Sequence, residues 1–331
     1  MYSVRLKNGK CFSATSGKTI LEAARLAGIH FPYSCKTGRC SSCKCKILSG
    51  KTNAIYPELG LSDSEVAENW ILSCVREIKS DITLEIDDLN NIEIPNARTL
   101  PCRISQINYL TAEIIQIKLR LPPSSDFRFL SGQYIEIIGT NGIRRSYSLA
   151  NSSITNNEIE LHIRKVKNGI MSKYWFEQAR LNDLLRLNGP LGTFFLRDVS
   201  ELHLIFLATG TGIAPIFSIL RSLKKISDEQ QPSKISVLWG SRHPEDLYLS
   251  AADFGDRVHF IPVLSRPPRT WSGAKGYVQN VLLSSKSNFA DSAVYACGSE
   301  NMIHDAKKQL VAFGLSTNHF YSDAFVISGS Q

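Results

Sequence analysis

Residues 33–45 read Tyr-Ser-Cys-Lys-Thr-Gly-Arg-Cys-Ser-Ser-Cys-Lys-Cys and decide the fold of the first part of the chain. They place Cys35, Cys40 and Cys43 in a Cys-x4-Cys-x2-Cys pattern. A fourth cysteine, Cys74, follows 31 positions after the third. This spacing is typical of a [2Fe–2S] cluster held on four thiolates. We therefore predict that these four cysteines are iron ligands and that this part of the chain carries single electrons.

A structural zinc site is the alternative for the same cysteines, and it would make the chain a zinc-binding protein rather than an enzyme. Zinc sites usually combine one Cys-x2-Cys pair with a second pair or with closely spaced histidines. The single, distant fourth cysteine favours the iron–sulfur cluster instead. Cys45 is predicted to pack in the core, and Cys11 and Cys102 are predicted to be buried thiols.

The composition is that of a globular chain of two or three domains, with 331 residues, 43% hydrophobic and 21% charged. No apolar run reaches the roughly 18–20 residues that cross a bilayer, so we expect no membrane association. The first residues show no export signal, which predicts a cytoplasmic protein. The net charge of +8 is dispersed rather than clustered among aromatic residues, which argues against nucleic-acid binding.

The elements around the cysteine segment predict a small mixed domain over residues 1–90. Strands are predicted at Tyr2–Lys7 and Lys10–Ala14 around an Asn-Gly turn, and Thr19 begins a helix that ends at Ala27. The further predicted elements are strand Cys45–Leu48, helix Ser62–Glu68 and strand Asp81–Ile86. So many short elements in this span indicate a β-grasp ferredoxin-like domain.

Residues 91–100 are polar and turn-rich and are predicted to be a linker. Residues 101–198 then contain short alternating or apolar runs that turn residues separate, which predicts an antiparallel β-barrel. Its predicted strands are Cys102–Asn108, Ile114–Leu119, Tyr134–Ile138, Arg145–Leu149, Ile159–Lys165 and Leu185–Leu187. A helix at Ser172–Ala179 is predicted to interrupt them.

Residues 199–331 alternate strands and helices and predict an α/β domain with a parallel sheet. The predicted strands are Leu202–Ala208, Ile235–Trp239, Val258–Val263, Ala293–Ala296 and Phe320–Phe325. The predicted helices are Pro215–Lys225 and Glu300–Phe313. The whole chain is therefore expected to be multidomain.

The barrel region contains Arg144-Arg-Ser-Tyr-Ser148, which offers groups suited to a nucleotide cofactor. Arg145 is a fixed cation for a pyrophosphate, Tyr147 is an aromatic surface, and Ser148 adds a hydroxyl. The motif gains weight from segments 129–134, 162–172 and 189–194. Within segment 162–172, Gly169 and Ser172 begin a helix, whose N-terminus suits an anion.

The parallel-sheet region contains Leu207-Ala-Thr-Gly-Thr-Gly-Ile-Ala-Pro215 between a strand and a helix. Glycines at this position let the backbone approach a diphosphate, and the helix dipole favours the negative charge. A second segment, Ala296-Cys-Gly-Ser-Glu-Asn-Met302, follows the carboxyl end of a later strand, where open α/β sheets bind ligands. Both segments predict a dinucleotide site.

With these motifs the chain resembles ferredoxin–NAD(P)+ reductase-type flavoenzymes fused to an N-terminal plant-type ferredoxin. Segments at 33–36, 132–135, 144–148, 189–195, 295–299 and 320–325 are most similar to the CDP-6-deoxy-Δ3,4-glucoseen reductases, which serve a 3-dehydrase in deoxysugar synthesis. Reductase components of multicomponent oxygenases share most of these motifs. The resemblance implies [2Fe–2S], FAD and NADH as cofactors, with NADPH possible, and an electron-accepting protein, a sugar dehydrase or an oxygenase component, as partner.

The resemblance also implies roles for individual residues. The implied flavin residues are Arg145, Tyr147, Ser148, His162, Ile163, Arg164, Gly169, Met171 and Ser172. The implied nicotinamide-dinucleotide residues are Gly210, Thr211, Gly212, Pro215, Cys297 and Gly298. Phe325 corresponds to a C-terminal aromatic over the flavin, and Asp323 to a nearby carboxylate; with Ser148 and Cys297 they form the implied catalytic set.

Plainer interpretations stay open for three of these residues. Phe325 is also consistent with ordinary core at a strand end, Cys297 with a small buried residue, and Asp323 with a solvated acid. The chain continues past the aromatic as Val326–Gln331, which departs from relatives that end there. After strand Ile235–Trp239, Ser241 and Arg242 suit a 2′-phosphate, whereas Glu245 or Asp246 suits a free 2′-hydroxyl; the resemblance favours NADH.

Overall fold

The computed structural model describes residues 1–139, 142–153 and 157–325. Contacts divide the chain into two compact units. One contains residues 1–93 and 322–325, and the other contains the described residues between 94 and 321.

The first unit is built on a five-stranded mixed sheet with the strand order β2-β1-β7-β3-β5. Strands β1 and β2 form the predicted hairpin, and β1 pairs with β7 in parallel. Thr19 caps helix α1 in a capping box with Glu22, as predicted from the sequence. Its elements are β1 (Tyr2–Leu6), β2 (Cys11–Ala14), α1 (Ile20–Leu26), β3 (Lys44–Ser49), β4 (Thr52–Ala54), α2 (Asp63–Ala67), β5 (Trp70–Leu72), β6 (Arg76–Ile78) and β7 (Ile82–Glu85).

An antiparallel barrel opens the second unit, with the strand order β11-β10-β13-β8-β9-β12. A bridge between Leu149, just after β11, and Leu161 in β12 joins the two edge strands. Leu161, Ile117, Ile135 and Leu187 are fully buried in the interior of this barrel. Its strands are β8 (Arg98–Thr111), β9 (Ile114–Arg120), β10 (Tyr134–Ile138), β11 (Arg144–Ser148), β12 (Glu158–Arg164) and β13 (Leu184–Leu191).

The rest of the second unit is an α/β layer on a sheet of order β17-β16-β15-β14-β18-β19, although only residues 320 and 321 of β19 belong to this unit. Strands β14 to β18 pair in parallel. Central strands β14 and β18 are almost wholly buried, as expected for a parallel sheet covered on both faces. The strands are β14 (His203–Thr209), β15 (Lys234–Ser241), β16 (Val258–Leu264), β17 (Ala274–Lys275), β18 (Ser292–Gly298) and β19 (Phe320–Ala324). The helices of this layer are α4 (Ile213–Leu223), α5 (Ala251–Phe254), α6 (Val278–Ser285) and α7 (Glu300–Ala312).

The predicted fold class is confirmed, and two local predictions are corrected. The helix predicted at Ser172–Ala179 is instead a short helix α3 (Ile170–Lys173) followed by a π-helical turn at Tyr174–Gln178. The wider turn brings Trp175 into the barrel core. Strand β8 begins at Arg98, inside the stretch predicted as linker, because it pairs with β13 there.

Every helix within residues 1–139, 142–153 and 157–325 is too short or too polar to span a bilayer.

His203 on β14 is expected to make stability pH-dependent. Burial, aided by the charges of Lys286 and Lys234, lowers the pKa of His203 from its ordinary value of 6.5 to about 4. Between about pH 6.5 and pH 4, the His203 imidazole is therefore protonated in the unfolded chain but neutral in the folded chain. The contribution of neutral His203 to the free energy of unfolding is fully present above about pH 6.5. It is lost as the pH falls toward 4, and the loss is on the order of 1–2 kcal/mol after allowance for solvent screening.

The measurement is the melting temperature at pH 7 and at pH 5 for wild type and His203→Gln. We expect the drop between the two pH values to be smaller in His203→Gln. His304→Gln, at an exposed position on α7, is the matched control and should follow wild type. An identical drop in all three proteins would contradict the assignment.

Candidate cofactor sites

The four predicted iron ligands lie together at one end of the first unit. Cys43 Sγ donates to Cys74 Sγ at 3.1 Å, and Cys35 and Cys40 share a second thiol hydrogen bond. Cys40, Cys43 and Cys74 are buried, whereas Cys35 is half-buried. The sulfurs therefore form two pairs, which suits two irons with two thiolates each.

Hydrogen bonds favour the thiolate form at one sulfur of each pair. The thiol of Cys40 donates to Cys35 and, with Thr37, lowers the pKa of Cys35 to about 5 despite burial. The thiol of Cys43 likewise lowers the pKa of Cys74. The backbone N–H of Thr37 lies 3.4 Å from Cys35 Sγ, and that of Cys35 lies 3.4 Å from Cys40 Sγ. Such N–H donors stabilise negative charge on cluster sulfurs.

Gly38 is required by the path of this loop. Its φ is +76°, a left-handed conformation that favours glycine, and a Cβ there would lie 2.3 Å from the carbonyl oxygen of Pro57. The backbone N–H of Gly60 donates to the Gly38 carbonyl at 2.9 Å. The segment around Pro57 and Gly60 therefore supports the cysteine loop from outside.

This donor set fits a [2Fe–2S] cluster, since it offers four sulfurs in two pairs with N–H groups directed at them. In residues 1–139, 142–153 and 157–325, no three His, Cys, Asp or Glu side chains surround a single metal-ion position. Cys45 and Cys102 are buried, as predicted, but the prediction that Cys11 is buried is wrong. In strand β2 the inward positions belong to Phe12 and Ala14, so Cys11 faces outward.

The arginine–tyrosine–serine motif forms strand β11 of the barrel. Ser148 is buried at its end, and the half-buried Tyr147 accepts a hydrogen bond from Trp175 Nε1 at 2.9 Å. Burial raises the pKa of Tyr147 to about 12. Arg145 points its guanidinium to the carbonyl oxygen of Arg144 at 2.7 Å. The strand thus presents an oriented phenol, a hydroxyl and a cation along one short stretch.

A hydrogen bond joins the two ends of the segment from Val166 to Ser172. Gly169 caps helix α3, and Ser172 Oγ accepts from the Val166 N–H at 2.9 Å. Met171 is buried in the barrel core. Of the predicted flavin residues, Gly169 and Ser172 therefore fix the backbone of this segment, and Met171 packs it against the barrel core.

Strand β12 carries His162, Ile163 and Arg164, with different surroundings. Both ring nitrogens of His162 have protein partners, Glu160 at 2.9 Å and the Tyr248 hydroxyl at 3.1 Å. Burial raises the pKa of Glu160, but the bonded His162 outweighs this and lowers it to about 2. Ile163 packs in the barrel core. The flavin contact predicted for His162, Ile163 and Arg164 stays a prediction, and both His162 ring nitrogens already have partners within the chain.

Arg164 lies beside the glycine-rich turn of the parallel sheet. A Cβ on Gly210 would lie 3.3 Å from Arg164 Nη1, and Arg164 Nη2 is 3.5 Å from both oxygens of Asp246. The turn is a 3-10 segment, Gly210–Gly212, that leads into α4, and Pro215 is buried in the first turn of that helix. The Arg164 guanidinium and the N-terminus of α4 therefore both adjoin the turn Gly210–Gly212. This arrangement suits a diphosphate.

The two predicted dinucleotide motifs lie against each other. A Cβ on Gly212 would lie 2.3 Å from the Cys297 carbonyl oxygen, and one on Gly298 would lie 2.0 Å from Thr209 Oγ1. Thr209 Oγ1 also accepts from the Ser299 N–H at 3.0 Å. Cys297 is fully buried at the end of β18. Glycine at these positions is what allows the two strand ends to approach.

Asp323 and Phe325, near the C-terminus, differ in how deeply they are buried. Asp323 is 5% exposed and accepts a hydrogen bond from Ser34 Oγ, so the interpretation as a solvated acid is wrong. Burial raises the pKa of Asp323 to about 6, with Cys35 adding to the shift and the Ser34 bond opposing it. Phe325 is 37% exposed, so it is not ordinary core. The extension Val326–Gln331 lies outside the described residues.

Sequence reasoning missed three contributors to these sites, Thr209, Trp175 and Ser34. Thr209 stands inside a recognised motif, so its position was a signal that could have been used. Trp175 and Ser34 act through contacts distant in sequence, and their neighbours in the chain give no indication of them. Asp246 was considered for the coenzyme ribose, but its contact with Arg164 was not foreseen.

Arg164→Gln tests the cation beside the turn. Because a hydrogen bond to a charged group contributes about 1.5–3 kcal/mol, we expect KM for NADH to rise by roughly 10-fold or more. Flavin reduction by NADH, followed at its visible absorption, gives the measurement. Arg186→Gln, exposed on β13, is the control and should behave as wild type. An unchanged KM in Arg164→Gln would remove Arg164 from coenzyme binding.

Three known domain families match the chain in sequence order. The 2Fe-2S iron-sulfur cluster binding domain matches residues 5–79, the oxidoreductase FAD-binding domain residues 101–196, and the oxidoreductase NAD-binding domain residues 206–308. These matches agree with the cysteine pairs, the barrel and the parallel sheet described above. The chain is therefore an NAD(P)H-dependent oxidoreductase of the iron–sulfur flavoprotein class, and its cofactors are [2Fe–2S], FAD and NAD.

Individual relatives define the family further. The chain is 39% identical over 325 residues to the CDP-6-deoxy-L-threo-D-glycero-4-hexulose-3-dehydrase reductase of Yersinia pestis, covering 97% of each chain. It is 28% identical to the terephthalate 1,2-dioxygenase reductase component 1 of a Comamonas species, over 96% of this chain and 95% of that one. The chain belongs to the family of iron–sulfur flavoprotein reductases that includes the Yersinia protein.

A solved structure shows the same architecture over the full length. The crystal structure of the Amycolatopsis cytochrome P450 reductase superposes with a TM-score of 0.76 at 26% identity, covering 98% of this chain and 99% of that one. The ferredoxin reductase in carbazole 1,9a-dioxygenase, at 24% identity and a TM-score of 0.70, shares the fold.

Proposed function

We propose that this reductase passes electrons from NADH through FAD and the [2Fe–2S] cluster to the 3-dehydrase step of CDP-deoxysugar synthesis. The observation that carries the proposal is the 39% identity to the Yersinia pestis dehydrase reductase across 97% of both chains. A second Yersinia protein of the same description matches equally well. The likeness extends over the full length of both chains and is not confined to the cofactor-binding motifs.

The cofactors supply hydride acceptance and single-electron transfer, and the chain's own residues bind and orient them. Ser148 and Tyr147 on β11 are proposed to hold the flavin ring, and Arg145 its pyrophosphate. The turn Gly210–Gly212, with Pro215 behind it, is proposed to hold the coenzyme diphosphate. Cys297 and Phe325 are proposed to position the nicotinamide.

Asp246 supports NADH rather than NADPH as the coenzyme. It is buried after the end of β15, where it accepts from Ser241 Oγ at 3.0 Å. The Ser241 hydroxyl is thereby engaged within the chain, and a carboxylate at this place disfavours the negative 2′-phosphate. Arg242 is exposed nearby and is the one group of the sequence motif that suits the phosphate.

An oxygenase component is the second candidate acceptor. The 28% identity to the terephthalate dioxygenase reductase component, over nearly the full length of both chains, favours it. The oxygenase component ranks second because the identity to the dehydrase reductase is higher. We place the protein in the cytoplasm, where sugar nucleotides and NADH are available.

The test mixes the purified holoprotein and NADH, without oxygen, with a CDP-hexulose 3-dehydrase and its substrate. We expect the 3-deoxy sugar product to form only when the reductase is present. A parallel mixture replaces the dehydrase with the terminal component of an aromatic-ring dioxygenase, supplied with oxygen and its substrate. Turnover in the second mixture and none in the first would replace the dehydrase by an oxygenase as acceptor.

A further inference from the structure

The last described strand makes two polar contacts with the cysteine loop. Ser34 Oγ donates to Asp323 Oδ1, and Ser42 Oγ donates to the Ser322 carbonyl oxygen at 3.0 Å. Ser34 directly precedes the ligand Cys35, and Ser42 directly precedes the ligand Cys43. Residues 322–325 accordingly group with residues 1–93. The C-terminal strand thus holds the three-cysteine segment close to both of its ends.

The two contacts differ in what they require of the sequence. The bond from Ser42 ends on a backbone carbonyl, which any residue at position 322 supplies. The bond from Ser34 ends on the side chain of Asp323, and both groups are almost fully buried, at 3% and 5% exposed. Burying a carboxylate is costly unless hydrogen bonds compensate it, so an acid at this place needs a reason beyond packing.

The position of this carboxylate supplies that reason. It accepts a hydrogen bond from Ser34, the residue that directly precedes the ligand Cys35. Reduction adds an electron to a cluster whose four thiolates are already negative, so a further fixed negative charge nearby makes reduction harder. A hydrogen bond through Ser34 also fixes the backbone that carries the first ligand.

We propose that Asp323, acting through Ser34, is a positioning residue of the iron–sulfur cluster that fixes the first ligand segment and lowers the cluster's reduction potential. The proposal deepens the electron-transfer function stated above and rests on it. The resemblance assigned the same carboxylate to the flavin, and its observed partner is instead the cluster loop.

The test is a spectroelectrochemical titration of the full-length holoprotein at pH 8, with electron paramagnetic resonance of the dithionite-reduced cluster. Asp323→Asn keeps an acceptor oxygen for Ser34 but removes the charge. We expect the cluster midpoint to rise and the flavin midpoint to stay unchanged. Ser34→Ala should move the midpoint and the resonance g-values, and Ser34→Thr, which retains the hydroxyl, should restore them.

Ser42→Ala is the matched control, because it removes an uncharged contact to the same strand. Its cluster midpoint should stay near wild type. A flavin midpoint or a rate of flavin reduction that moves in Asp323→Asn while the cluster midpoint stays fixed would overturn the proposal and return Asp323 to the flavin. If Asp323→Asn fails to fold, equal midpoints in Ser34→Ala and wild type would overturn it as well. None of these readouts uses an acceptor, so an error about the dehydrase cannot mimic them.

Discussion

Cys74→Ser is expected to abolish electron delivery while leaving reduction of the flavin by NADH intact. Cys74 is paired with Cys43 at 3.1 Å, and its backbone belongs to a different segment from the other three ligands. Serine oxygen is a harder and less acidic ligand than thiolate sulfur, so the second iron is poorly held. We expect the iron–sulfur absorption to be lost and reduction of an iron–sulfur acceptor to fall by at least about 100-fold, the scale on which ligand-shell mutations act.

The matched control for this variant is Cys45→Ala. Cys45 is fully buried two residues after the ligand Cys43, and burial raises the pKa of its thiol to about 12. The Cys45→Ala variant should keep the cluster and lose only packing contacts, which lowers the free energy of unfolding by about 1 kcal/mol. Full cluster content in Cys74→Ser, or its loss in Cys45→Ala, would contradict the ligand assignment.

Gly298→Ala is expected to have the second large effect, and on the opposite step. Gly298 has a φ of +138°, and an added Cβ would lie 2.0 Å from Thr209 Oγ1. The strand end must move away from the turn, because neither backbone can accommodate the methyl group. Since a displacement of about 1 Å near the reacting atoms costs up to 10²-fold in rate, we expect flavin reduction by NADH to slow by about that factor.

Anaerobic stopped-flow measurement at the flavin absorption band gives this rate. Gly276→Ala is the control, since Gly276 also has a left-handed φ, +104°, but has open space around the added Cβ. It tests backbone strain without the clash and should reduce its flavin at nearly the wild-type rate. Equal rates in Gly298→Ala and wild type would mean that this contact does not position the coenzyme.

Features that depend on local sequence were predictable. The capping box of Thr19 and Glu22, the Asn-Gly hairpin and the cysteine spacing each act over a few residues, and the structure contains all three. Strand alternation likewise predicted the barrel and the buried central strands of the parallel sheet. The error at Cys11 came from treating cysteine as buried by type, whereas the pleat of β2 decides which side it faces.

Features that depend on distant contacts were not predictable. Ser34 and Asp323 are 289 residues apart, and Arg164 and Asp246 are 82 apart. The residues that neighbour either acid in the chain do not show which distant side chain it contacts. The π turn at Tyr174–Gln178 similarly arises because Trp175 packs into the barrel, which overrides the regular helical pattern.

We conclude that this chain accepts electrons from NADH and carries them to its own [2Fe–2S] cluster. The most direct measurement is electron paramagnetic resonance of the anaerobic holoprotein, frozen after stepwise addition of NADH. We expect a reduced [2Fe–2S] signal that grows with NADH in wild type and is absent in Cys74→Ser. Bleaching of the flavin by NADH with no such signal in wild type would contradict it.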